Sequence, residues 1–169
     1  KAGPERELAD RYFDRFAKLG PGLGLDFAGV DELPESRHAS PDLRKRDEAE
    51  RLAARLPAGG ALIILDERGK NLSSDDFSIR LAALRDGGTR DAALAIGGPD
   101  GHDASIRERA DLVLCFGAQT WPHQMVRLML AEQLYRAATI LAGILIIGYV
   151  ARRYRFPKFA ATAHHWIMV

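Results

Sequence analysis

Three segments of the chain set glycine, proline and polar residues at the end of an apolar run, where backbone can wrap a small ligand. Leu65-Asp66-Glu67-Arg68-Gly69-Lys70 closes the run Ala61–Leu65, Gly97-Gly98-Pro99-Asp100-Gly101 follows Ala92–Ile96, and Phe116–His123 follows Asp111–Cys115. Glycine admits a ligand close to the main chain, and successive loop amides can hydrogen-bond a base edge or a ribose. Each segment alone is more often a plain turn. Other chemistries lack their residues. The glycines do not give a dinucleotide fingerprint, because no third glycine opens a long helix, and no Gly-Lys-Ser/Thr phosphate loop is present. There is no paired-cysteine zinc pattern and no Gly-x-Ser-x-Gly elbow. Cys115 is the single cysteine. It ends an apolar run and reads as a small buried residue; alone, it rules out an intrachain disulfide and suits a reducing compartment. His102 and His123 read as capping or surface residues of loops. His164-His165 reads as an isolated pair, not a metal site.

The elements that must position these loops are legible. The runs 61–65, 92–96 and 111–115 are continuously apolar, as in strands covered on both faces. Between them, Ser73 or Ser74 caps a helix through about Leu84, and a short helix spans Ala104–Arg109. Beyond Pro122 a long helix carries Met125, Leu128, Met129, Glu132, Leu134 and Tyr135. Strands alternating with helices predict a parallel α/β sheet, with ligands beyond the carboxyl ends of its strands. Upstream, Leu8, Tyr12, Phe13 and Phe16 stand at helical spacing over 3–18, and Gly20-Pro21-Gly22 breaks that helix. Leu23–Leu33 reads as a strand or extended segment. Ser40-Pro41 starts a helix over Pro41–Leu56, with Leu43, Leu52 and Leu56 on one side. No internal repeat or low-complexity linker interrupts the chain.

The 169 residues fit one domain. An apolar content of 47% and a charged content of 28% are those of a globular protein. The net charge of +1 advertises no nucleic-acid surface, so a basic patch would have to come from folding or dimerisation. The charged opening, with Lys1, Glu5, Arg6 and Glu7, is not a signal peptide, and the missing initiator methionine suggests a trimmed start.

Together, Leu65–Lys70, Ile96–Gly101, Thr120-Trp121-Pro122-His123-Gln124-Met125-Val126-Arg127 and Leu130-Ala131-Glu132-Gln133-Leu134-Tyr135-Arg136-Ala137 resemble the signature segments of the RlmH family over about residues 1–143. These are SPOUT-class methyltransferases that modify N3 of pseudouridine-1915 in bacterial 23S rRNA. The resemblance implies an α/β SPOUT fold whose C-terminal part threads a trefoil knot, a rare exception to unknotted connections. It implies S-adenosyl-L-methionine held by Leu65, Gly97, Gly98, Phe116, Gly117, Ala118, Gln119, Thr120 and Trp121. It further implies a cytoplasmic homodimer acting on the ribosome without a metal. His123, Arg127, Tyr135 and Arg136 are candidates for RNA or partner contacts; for Tyr135 and Arg136, helix packing and an ion pair with Glu132, four residues before Arg136, is the competing reading.

Both ends depart from that family. Its members begin with a strand that precedes the segment starting here at Lys1, and without it a sheet neighbour would keep an unpaired edge. They end in His-Pro-Tyr-His-Arg, whereas Gly143 is followed here by Ile144-Leu145-Ile146-Ile147-Gly148. Written as CAT CCT TAT CAT CGG and shorn of its first base, the family ending reads Ile-Leu-Ile-Ile-Gly. A single-base deletion after the Gly143 codon would therefore make 144–169 an out-of-frame tail to a 1–143 domain. That tail predicts weak or absent methyl transfer, and the alternative function is a non-catalytic cofactor- or RNA-binding remnant. Ala137–Ala151 is a mostly apolar stretch of 15 residues, short of the roughly 20 that span a membrane.

Overall fold

The computed structural model describes the backbone of residues 3–153 and side chains through Gly143. Three parallel strands, β1 (Ala61–Asn71), β2 (Ala92–Ile96) and β3 (Leu112–Cys115), form a sheet in the order β2-β1-β3. The helices are α1 (Pro4–Leu19), α2 (Pro41–Ala53), α3 (Ser74–Asp86), α4 (Ala104–Arg109) and α5 (His123–Arg153). Side chains of β1 alternate between two cores, as a pleated strand requires. Ile63 and Leu65 join Phe13, Phe16, Phe77, Leu130 and Leu134 beneath α1, α3 and α5. Leu62 and Ile64 join Ala49, Ala95 and Ile106 beneath α2 and α4. Both faces of the sheet are thus covered, which is why its strands read as unbroken apolar runs.

Local signals set the helix starts. Ser40 Oγ accepts from the Leu43 amide, Ser73 Oγ from the Asp76 amide at 3.1 Å, and Asp103 from the Ser105 amide at 2.9 Å. Each satisfies one of the unpaired amides that open a helix.

Three sequence expectations change. Residues 24–39 contain no regular element; a 3-10 turn ends at Leu23 and the chain runs on irregularly, held by Phe27, which stacks on Phe13 at 5.0 Å. Helix α2 stops at Ala53 instead of Leu56, and Leu43 is 50% exposed, so it does not share the packed side with Leu52 and Leu56. Asp66–Lys70, expected to leave the sheet, continues β1. Leu114 of β3 is paired first with Leu65 and again with Lys70, so residues 66–69 bulge between two stretches of ladder. The bulge brings Gly69 against β3, where a Cβ would lie 2.5 Å from the Leu114 carbonyl carbon, and no larger residue fits. Helix α5 runs unbroken through Gly143 to Arg153. The expected out-of-frame tail otherwise falls outside the described residues.

Candidate active site

The bulge of β1 and the carboxyl ends of β2 and β3 open on one cavity of about 460 Å³. Leu65 and Asp66 come from β1. From β2 comes a turn in which the Gly101 amide donates to the Gly98 carbonyl at 2.9 Å, with Pro99 at its second position. Proline is pre-set for that place in a type I or type II turn. From β3 comes the loop 116–121, which contains Gly117 at φ +94°, a left-handed conformation natural to glycine. The indole N–H of Trp121 donates to the Phe116 carbonyl at 3.1 Å, which closes this loop on itself, while the ring stays 41% exposed at the cavity rim.

Beneath the β2 turn lies His102, only 7% exposed. Burial pushes its imidazole below the ordinary histidine range, against the pull of nearby Asp66. Its Nε2 has no hydrogen-bond partner among the described residues. Arg107 lies beside it, donating to the His102 carbonyl and standing 3.6 Å from the Asp66 carboxylate. The cavity wall therefore combines backbone from three segments with the desolvated His102 imidazole and the charged side chains of Lys45, Asp66, Arg68 and Arg107. Such a site suits a ligand read by main-chain groups and shape. Among the described residues, no group of three or more His, Cys, Asp or Glu side chains is placed to hold a metal ion.

Residues 1–144 match the family model described as "Predicted SPOUT methyltransferase". The chain belongs to the SPOUT methyltransferase family. Proteins named Ribosomal RNA large subunit methyltransferase H are its relatives. The one from Mesorhizobium japonicum is 65% identical over 143 residues, 85% of this chain and 89% of its own. Those from Brucella anthropi and Chelativorans sp. are each 63% identical over 85% of this chain, and over 89% and 82% of their own.

In this SPOUT enzyme Leu65, Gly97, Gly98, Phe116, Gly117, Gln119, Thr120 and Trp121 all line the one cavity, and His123 joins them. Ala118 is exposed and does not line it. The other candidates lie elsewhere. Arg127 is tied to Glu32 at 2.6 Å and to Asp10 at 3.7 Å, lining a separate depression with Arg6 and Phe27. That bond holds the Glu32 carboxyl below its usual range. Tyr135 packs on Tyr12 with ring centroids 6.1 Å apart, and the Arg15 guanidinium lies over both rings. Arg136 is bound to Glu132, one helical turn before it.

Two sequence readings are corrected here. His102 is buried, not a surface or capping residue, because the turn before it folds its side chain under the strand tips. Cys115 is half-buried and lines the cavity instead of sitting in the core. Asp66, Lys45 and Arg107 also line the site without having been singled out as contacts. Asp66 had a signal, its place directly after an apolar strand. Lys45 had none, since only the packing of α2 brings it there.

Proposed function

We propose that this SPOUT methyltransferase carries a methyl group from S-adenosyl-L-methionine to N3 of pseudouridine-1915 in 23S rRNA, as a cytoplasmic homodimer with the threaded C-terminal part of its class. The observation that supports this reading is the convergence of the β1 bulge and the loops after β2 and β3 on one cavity. The cavity's volume lies within the range of about 300–1,000 Å³ typical of cofactor sites. Its wall would suit a nucleoside-bearing ligand, with the backbone of Gly97, Gly98 and Gly117 beside the buried His102 imidazole, whose Nε2 has no partner among the described residues. Leu65 and the 97–98 and 116–121 segments would hold the cofactor.

When bound, the cofactor supplies a methyl group made electrophilic by its sulfonium. The chain's own residues supply position and a dry wall: Leu65, Leu114 and Phe116 exclude water, and the self-closed 116–121 loop is fixed before any ligand arrives. Such preorganisation offsets the entropy of bringing two reactants together. The acceptor nitrogen must shed its proton before or as it attacks. Arg68 and His123, exposed on the cavity wall, would meet RNA phosphates.

Ribosomes lacking the modification, incubated with the protein and methyl-labelled cofactor, should acquire label at the single nucleotide. Normal cofactor binding without label would favour the second reading, a binding-only remnant. The sequence observation behind that reading is the apolar Ile144–Ile147 standing where the family's polar ending is expected.

A further inference from the structure

The Gly97–Gly101 turn is held from outside the cavity by α2. Arg44 grips Asp100 with both prongs of its guanidinium, Nε to Oδ2 at 2.6 Å and Nη2 to Oδ1 at 3.0 Å. Its third nitrogen, Nη1, donates to the carbonyls of His38 at 3.0 Å and Ala39 at 3.1 Å. One side chain thus joins α2, the segment leading into it and the turn. One helical turn further on, Glu48 Oε1 accepts from the Ser36 amide at 2.9 Å. Its other oxygen fills the space beside Gly98, 2.8 Å from where a Cβ would stand. Helix α2 therefore braces both ends of the turn.

Two-pronged arginine–carboxylate bonds fix orientation as well as distance. The Arg44 and Asp100 side chains are only 27% and 24% exposed, so water screens this pair less than an ordinary surface pair. In keeping with this, the Arg44 guanidinium holds the Asp100 carboxyl below its usual range. Arg44 itself is not part of the cavity wall.

We propose that Arg44 is a positioning residue that sets affinity for the methyl donor by holding the Gly97–Gly101 turn in its binding shape through Asp100. The proposal rests on the function proposed above. A turn released from α2 must be ordered again when ligand binds, and that ordering opposes affinity.

Amide hydrogen exchange over residues 97–101 and calorimetric titration with S-adenosylmethionine test it on the full chain. In Arg44→Ala, exchange at these amides should quicken and the Kd rise about tenfold, the scale of one lost ordering contact. Adding Asp100→Asn to Arg44→Ala should change the Kd little further, because the two residues act as one unit. Arg44→Lys keeps the charge and stem but loses the two-pronged bond. It should shift both readouts in the same direction, and it decides the matter if the alanine variant does not fold. A lower melting temperature with unchanged Kd would show a merely structural role and overturn the proposal, as would unchanged exchange. Wild-type chain that takes up no S-adenosylmethionine would overturn the function reading and the affinity claim together; quickened exchange with intact wild-type binding and weakened variant binding supports both.

Discussion

Gly69→Ala probes the place where the bulge of β1 presses on β3. An added Cβ would stand 2.5, 2.7 and 2.8 Å from the carbonyl carbon, oxygen and nitrogen of Leu114. Ordinary contact begins near 3.4 Å, so the two backbones must part by about 0.9 Å. Neither can do so freely, because Leu114 is laddered to Leu65 on one side of the bulge and to Lys70 on the other. Overpacking costs about 1–3 kcal/mol, and each ladder bond sacrificed to relieve it adds about 1 kcal/mol. With two such bonds lost, the sum, about 3–5 kcal/mol, is a large part of the total of roughly 5–15 kcal/mol that holds a domain folded. Urea unfolding followed by circular dichroism should show this loss as a lowered midpoint with an unchanged slope. Gly22→Ala is the control: nothing lies within 4 Å of its added Cβ, and a change within about 0.5 kcal/mol is expected. A Gly69→Ala chain within 1 kcal/mol of wild type would refute the close crossing and, with it, the extension of β1 past Leu65.

Burial holds the His102 imidazole below its ordinary value, so the unfolded chain binds the extra proton first. The stability linked to this group is complete above the unfolded value, near pH 6.5, and declines as pH falls toward the native one. Urea midpoints at pH 7.5 and pH 5.5 should therefore differ more for wild type than for His102→Gln, and equal differences would disprove the assignment. Gly143 stands inside α5 with nothing within 4 Å of an added Cβ. Gly143→Ala should raise stability by up to about 1 kcal/mol, the propensity gap between the two residues; a loss would show that the helix does not continue there. Ser73→Ala removes the cap that accepts from the Asp76 amide and should cost about 1 kcal/mol in thermal or urea unfolding.

The residues that make each strand and helix announced themselves through local rules. Continuous apolar runs marked β1, β2 and β3 because both faces of the sheet are covered, and Ser40 and Ser73 marked helix starts because a capping oxygen serves a free amide within its own turn. The turn at 97–101 and the loop at 116–121 were legible for the same reason: glycine and proline govern the backbone where they stand. What the chain alone could not disclose were relations between distant residues. Gly69 looks like a turn residue until β3 is laid against it 45 positions later in the chain. The irregular path of residues 24–39 is set by Phe27 against Phe13 and Phe16, not by its own propensity for strand. Burial of His102 and the grip of Arg44 on Asp100 arise because packing of α2, α4 and the sheet brings those groups within bonding distance. Local sequence determined which elements form and where the helices begin, since those energies act over a few residues. Tertiary structure decided which side chains share the cavity, since desolvation and ion pairing depend on neighbours remote along the chain.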